Sequence, residues 1–110
     1  MSRPDQQRLQ DILAACIAID SHLARGDASD DLAFDAIRIR LVEIGEAVNG
    51  LDPEVLSHAP DIPWAEVARM RDQLAHRYFD TAHSIVDATA RRDIPRLRVA
   101  TQKLIQRHSK

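Results

Sequence analysis

An all-α fold is predicted for this chain on three observations. Apolar residues recur at three- and four-residue spacing along nearly its whole length, and no stretch alternates with the two-residue period of a strand. Helix-start signals precede the apolar stripes. The length of 110 residues, 45% apolar and 29% charged, suits one globular domain with a shared core. The expected architecture is a compact antiparallel helical bundle of four to six helices. It forms a single domain over residues 1–110, with its apolar surplus shared in a dimer.

The first helix carries Leu9, Ile12, Leu13, Cys16, Ile19 and Leu23 on one face. Pro4 fits its first turn, Asp5 suits the positive end of its dipole, and Gly26 can end it as a left-handed cap. Ser29-Asp30-Asp31 is the cap signal of a second helix, whose stripe is Phe34, Ile37, Leu41, Ile44, Val48 and Leu51. The short polar loop between the two predicts an antiparallel hairpin. Asp52-Pro53 caps and opens a short helix that ends before Pro60, and Pro60 and Pro63 bracket an extended link. A third long helix starts near Pro63 and runs through Trp64, Val67, Met70, Leu74 and Tyr78. Thr81 caps a fourth, with Ile85, Val86 and Thr89 as its contacts. Asp93 and Pro95 restart a last helix through Leu97, Ala100, Leu104 and Ile105.

Composition removes several classes of protein. Three Gly, five Pro and one Cys exclude collagen-like, low-complexity and disulfide-stapled chains. The longest apolar run, Ile12–Ile19, is far short of the roughly 20 residues of a membrane span. The first residues show no apolar segment behind a basic stretch, so no secretory signal is expected. Cys16 reads as a buried thiol in a reducing compartment, and the expected location is the cytoplasm. No membrane partner is expected.

The net charge of −2 argues against coating nucleic acid by bulk charge. The charge is unevenly spread, however. Residues 91–110 hold seven basic side chains and one acid, giving +6, while the remainder holds eight basic and sixteen acidic, giving −8. Such a segment is a phosphate-binding face, a docking face for an acidic partner, or a solvated helix face balanced by nearby acids.

One stretch, Arg69 to Asp80, is dense in reactive groups. It offers an anion binder, Arg71, and a base, His76. On a straight helix these lie about 140° apart and do not share a face. Arg71 falls on the side of Trp64, Leu74 and Tyr78, inside the apolar stripe, where a guanidinium needs an anion, a buried partner or another subunit. Asp72 lies four residues before His76 and can orient the imidazole. The bland alternative is a surface or capping Arg–His pair. His22, His58, His83 and His108 have no metal-ligand spacing, so no metal and no cofactor is expected. Gly45, in mid-helix, costs about 1 kcal/mol against Ala and therefore marks a close helix crossing. Glu46 is expected to pair with Arg71, or with an arginine of a second chain, rather than act directly. Trp64 reads as a core anchor rather than a base-stacking platform.

Arg71, His76 and Tyr78 form an R-x4-H-x-Y pattern that resembles the motif of HepT toxins, in the HEPN superfamily of helical ribonucleases and nucleotide-binding domains. Ile44-Gly45-Glu46-Ala47 resembles that family's IGEA stretch. Ile62-Pro63-Trp64 with Met70-Arg71 resembles its entry into the motif helix, and Asp93-Ile94-Pro95-Arg96-Leu97 the start of its last helix. Asp72 stands where the family usually has Asn. After Tyr78, Ala82 and Asp87 stand where it usually has an acid and then a Trp.

The resemblance implies a HEPN-type bundle dimerising through the motif helix. It implies a metal-independent endoribonuclease toxin with RNA as substrate, Arg71 and His76 as catalytic residues, and Asp72 and Glu46 in support. It further implies a cognate minimal nucleotidyltransferase antitoxin that transfers AMP to Tyr78. Two other readings stand beside it: a non-catalytic HEPN binding module that docks a nucleotidyltransferase or a nucleotide, and a purely structural helical dimer. The pairing of Arg71 with His76 and Tyr78 disfavours the last.

Overall fold

Helix α1 spans Arg3–Arg25 and packs along α2, Asp31–Asn49. A one-turn α3, Pro53–Leu56, leads by tight turns into α4, Trp64–Ala75. The last helix, α5, is Ile94–His108, preceded by a π-helical turn at Thr89–Asp93. The computed structural model describes residues 2–25, 31–75 and 86–108. The expected caps at Gly26, Ser29 and Asp30, the end of the motif helix at Tyr78 and the cap at Thr81 lie outside those residues. All regular structure among the described residues is helical.

The central element is α2, which packs on α1 on one side and on α4 on the other, while α5 covers α1. The expected stripes form the core. Leu9, Ile12, Cys16 and Ile19 of α1 and Ile37, Leu41 and Ile44 of α2 are fully buried, and Ile94 and Leu104 of α5 close over them. Burying each such side chain contributes about 1.5–3 kcal/mol. Burial pushes the Cys16 thiol up to about 12, so it is an inert core residue. No helix among the described residues is long and apolar enough to cross a membrane.

Polar contacts fix how the elements meet. The Ser2 hydroxyl accepts from the Asp5 amide at 3.1 Å and donates to Asp5 Oδ2 at 2.8 Å, capping α1. The other oxygen, Asp5 Oδ1, accepts from the Asp52 amide at 3.2 Å, so the start of α1 is tied to the start of α3. Asp52 in turn caps α3, its Oδ1 accepting from the Glu54 amide at 2.9 Å. Arg98 of α5 donates to Asp20 of α1 at 2.6 Å.

Two expectations change. The link between Pro60 and Pro63 is not extended. Ile62 donates its amide to the Ala59 carbonyl at 3.3 Å, which makes Ala59–Ile62 a turn with Pro60 at its second position. The fixed φ of proline favours that position as much as it favours an extended strand. The last helix also does not restart at Asp93. Both Ala88 and Ile94 keep right-handed helical dihedrals, and Ile94 donates to the Thr89 carbonyl, five residues back. Pro95 cannot donate and its ring crowds the carbonyl four residues before it. Widening the preceding turn to π spacing relieves that clash without breaking the helix.

The Ser2 hydroxyl and the Asp52 amide hold the Asp5 carboxyl below the usual carboxylate range, against the opposing effect of burial. Its folded pKa is therefore below its unfolded one. The stability it contributes is present above about pH 4 and is lost as pH falls through the folded value. Asp5→Ala should lower stability by about 1–2 kcal/mol at pH 7. In urea titrations the gap between the variant and the parent should narrow as pH falls below about 4.

Candidate active site

The motif helix is set by its start. Pro63 precedes α4 and its carbonyl accepts from the Glu66 and Val67 amides, at 3.0 and 3.1 Å. Trp64 is half-buried against the core, and its indole Nε1 donates to the Ala59 carbonyl at 2.9 Å. It is thus an anchor that locks α4 to the preceding turn, as expected of it. Leu74 is buried, and Val67, Ala68 and Met70 pack beside it.

Arg71 sits where α4 touches α2. A Cβ built on Gly45 would lie 3.0 Å from the Arg71 backbone nitrogen, 3.1 Å from the Arg71 Cβ and 3.2 Å from the Val67 carbonyl oxygen. The close crossing expected at Gly45 is therefore present, and it is Arg71 whose backbone occupies it. The side chain leaves this fixed point half-exposed, with 40% of its area open. Its Nε and Nη2 donate to Asp72 Oδ1 at 3.3 and 3.2 Å. Asp72 is itself two-thirds exposed, so the pair contributes little to stability, about 0–1 kcal/mol. An incoming anion can displace it.

The remaining residues separate into two groups. Glu46 is exposed and lines a shallow groove between α1 and α2 with Arg8, Arg40 and Glu43. Among the described residues it forms no ion pair with Arg71. One step along α2 turns a side chain by about 100°, so with Gly45 against α4, Glu46 is carried round to the α1 side. His76 and Tyr78 lie outside the described residues, so the expected contact of Asp72 with His76 does too. Among the described residues no three His, Cys, Asp or Glu side chains come together as a metal site.

One supporting residue escaped the sequence reading. Arg38 of α2 donates from Nη1 to the Leu74 carbonyl at 3.0 Å. It clamps the backbone two residues before His76. The signal for it was faint: Arg38 precedes Gly45 by seven residues and so shares its face of α2.

The family model of HepT-like ribonucleases matches residues 12–104. The chain belongs to the HepT-like ribonuclease family. Its enzymatic class is accordingly that of an endoribonuclease. Among individual proteins, the "Probable ribonuclease HepT" of Thermococcus cleftensis is 34% identical over 109 residues, covering 94% of this chain and 98% of the relative. A protein of Caldanaerobacter subterraneus subsp. tengcongensis, likewise named as an RNase, is 32% identical over 104 residues, covering 90% of this chain and 92% of its own. An RNase-named protein of Methanocaldococcus jannaschii is 39% identical over 69 residues, covering 62% of this chain and 60% of its own. No solved structure matches the chain. The R-x4-H-x-Y pattern and Gly45 both fall within the matched range.

Gly45→Ala should destabilise by about 1–3 kcal/mol even though alanine is the better helix former, because backbone atoms on two packed helices must move. Gly50→Ala is the contrast. There the added Cβ meets the far end of the Arg8 side chain, at 2.5 Å from Nε, and a flexible side chain swings away. Thermal melts should place Gly45→Ala well below the parent and Gly50→Ala close to it.

Proposed function

We propose that the chain is a metal-independent endoribonuclease toxin that works as a cytoplasmic homodimer and is silenced by AMP transfer from a cognate minimal nucleotidyltransferase antitoxin. The observation that carries this reading is Arg71: its backbone is wedged at the α2–α4 crossing while its guanidinium is half open and, among the described residues, meets only Asp72 in a weak, exposed pair. That is a positioned cation awaiting a phosphate.

RNA carries its own nucleophile, the 2′-OH. The protein therefore needs to move protons and to stabilise the charge of the pentacovalent phosphate. Arg71 releases Asp72 and neutralises that charge, an effect of roughly 3 kcal/mol for a well-placed donor. His76 takes the proton of the 2′-OH or protonates the leaving 5′-oxygen. One imidazole cannot do both in a single step. A two-fold axis beside the motif helix brings two Arg71 and two His76 to one cleft and removes the difficulty of their angular separation. Asp72, once freed from Arg71, holds His76 in its working tautomer.

On a straight helix, the seven-residue step from Arg71 to Tyr78 corresponds to a rotation of about 20°. AMP esterified to its hydroxyl puts a bulky phosphodiester in the cleft, where Arg71 binds it in place of RNA. Silencing is then both steric and electrostatic.

Arg71→Ala and His76→Ala should each lose RNA cleavage by two or more orders of magnitude, with circular dichroism unchanged. Products should end in 2′,3′-cyclic phosphate or 3′-phosphate, EDTA should not inhibit, and a 2′-deoxy residue at the cut site should block cutting. Full cleavage by purified His76→Ala would contradict the assignment.

Tyr78→Phe should keep most cleavage activity and escape the antitoxin. Mass spectrometry of the chain co-expressed with its antitoxin should show AMP on the peptide containing Tyr78. Complete silencing of Tyr78→Phe, with no adduct on the parent, would mean inhibition by docking alone.

A further inference from the structure

The basic side chains of the last helix and the π turn before it divide into two sets. Arg91 donates to Asp87 at 2.9 Å, Arg92 lies 3.7 Å from Asp93, and Arg98 meets Asp20 at 2.6 Å. Arg96, Lys103 and Arg107 form no ion pair among the described residues, and all three line one groove of about 740 Å³. The other wall of that groove is the turn from His58 to Ile62, where Asp61 is the one acid.

The spacing is regular. Residues 96, 103 and 107 fall within about 40° of arc on an α-helix, at steps of about 10 Å and 6 Å along its axis. Val99, half exposed, lies on the same wall between the first two and gives the groove an apolar floor. Long cationic arms along one line, with an apolar surface between them, suit a phosphate backbone whose sugars and bases rest on that surface. The cleft on the α4 side differs. There Arg69, Arg92 and Arg96 face Asp61, Glu66 and Asp93, so its formal charges cancel.

We propose that this groove, between α5 and the 58–62 turn, binds the phosphate backbone of the RNA substrate away from the cut site. The proposal rests on the ribonuclease reading above. Residues 1–90 carry a net charge of −8 and repel RNA, so a substrate is drawn in through the segment of opposite sign. Arg71 then has a phosphate delivered to it by a chain already held elsewhere. The expected consequence is tighter binding with no change in the chemical step.

The test uses the full chain carrying Arg96→Gln, Lys103→Gln and Arg107→Gln together. Arg91→Gln and Arg40→Gln, whose parents are ion-paired on the surface, serve as controls. Binding is read by fluorescence anisotropy of a labelled oligouridine of about 20 nucleotides, on a His76→Ala background, over a series of salt concentrations. The triple variant should bind at least tenfold more weakly near 0.1 M salt. The slope of log affinity against log salt should fall by about 2, as for three lost phosphate contacts on a single strand. With His76 intact, KM should rise and kcat should hold. The controls should match the parent.

An unchanged slope, with KM also unchanged, overturns the groove assignment and leaves the ribonuclease reading standing. A triple variant that cuts normally but escapes its antitoxin also overturns it and gives the groove to the protein partner. A parent chain that neither binds nor cuts RNA overturns both.

Discussion

The approach of α2 to α4 at Gly45 is the constraint on which the rest depends. Only a residue without a side chain lets the Arg71 backbone come this close. Arg38, on the same face of α2, holds the Leu74 carbonyl three residues further along α4. Together they fix the backbone on both sides of Arg71 without touching its guanidinium. The head group is thus free to exchange partners while its attachment point is rigid, which is what a phosphate-binding arginine requires.

Electrostatics follow from that arrangement. The Arg71 guanidinium is half open to solvent and so needs no buried partner. Asp72 supplies a neighbour of opposite charge at low cost, since both are open to solvent. A more tightly buried partner would compete with substrate. The same contrast appears in the C-terminal segment: Arg98 ties α5 to α1 through Asp20 and Arg91 pairs with Asp87, whereas Arg96, Lys103 and Arg107 form no ion pair among the described residues.

Much of this was legible from residue spacing. The stripes Leu9–Ile12–Cys16–Ile19 and Ile37–Leu41–Ile44 have a helical period, and burial follows the period closely. Asp52-Pro53 encoded a cap and a first turn, and both are formed. Gly45 stood out because a glycine in mid-helix needs a reason. The 59–62 turn was not legible, because proline fixes φ for a turn and for an extended link alike. The π turn before Ile94 was hidden for a related reason: Pro95 announces a perturbed helix but not how the chain absorbs it. The sequence reading paired Glu46 with Arg71 or with an arginine of a second chain and gave Asp72 to His76; among the described residues the ion pair of Arg71 is with Asp72. Adjacent residues do not face each other along a helix, and only the length and flexibility of arginine let it fold back to its neighbour.

The most direct test is a mixed dimer. Arg71→Ala chains and His76→Ala chains, differently tagged, are co-expressed, and the heterodimer is purified through both tags and assayed for RNA cleavage. Each variant alone should be inert. A site shared across a two-fold axis predicts that the heterodimer recovers part of the parent's cleavage, because one intact Arg71 and one intact His76 meet in the same cleft while the second imidazole is missing. A stable heterodimer as inert as either parent variant, or a monomer of the parent chain that cuts RNA, would contradict it.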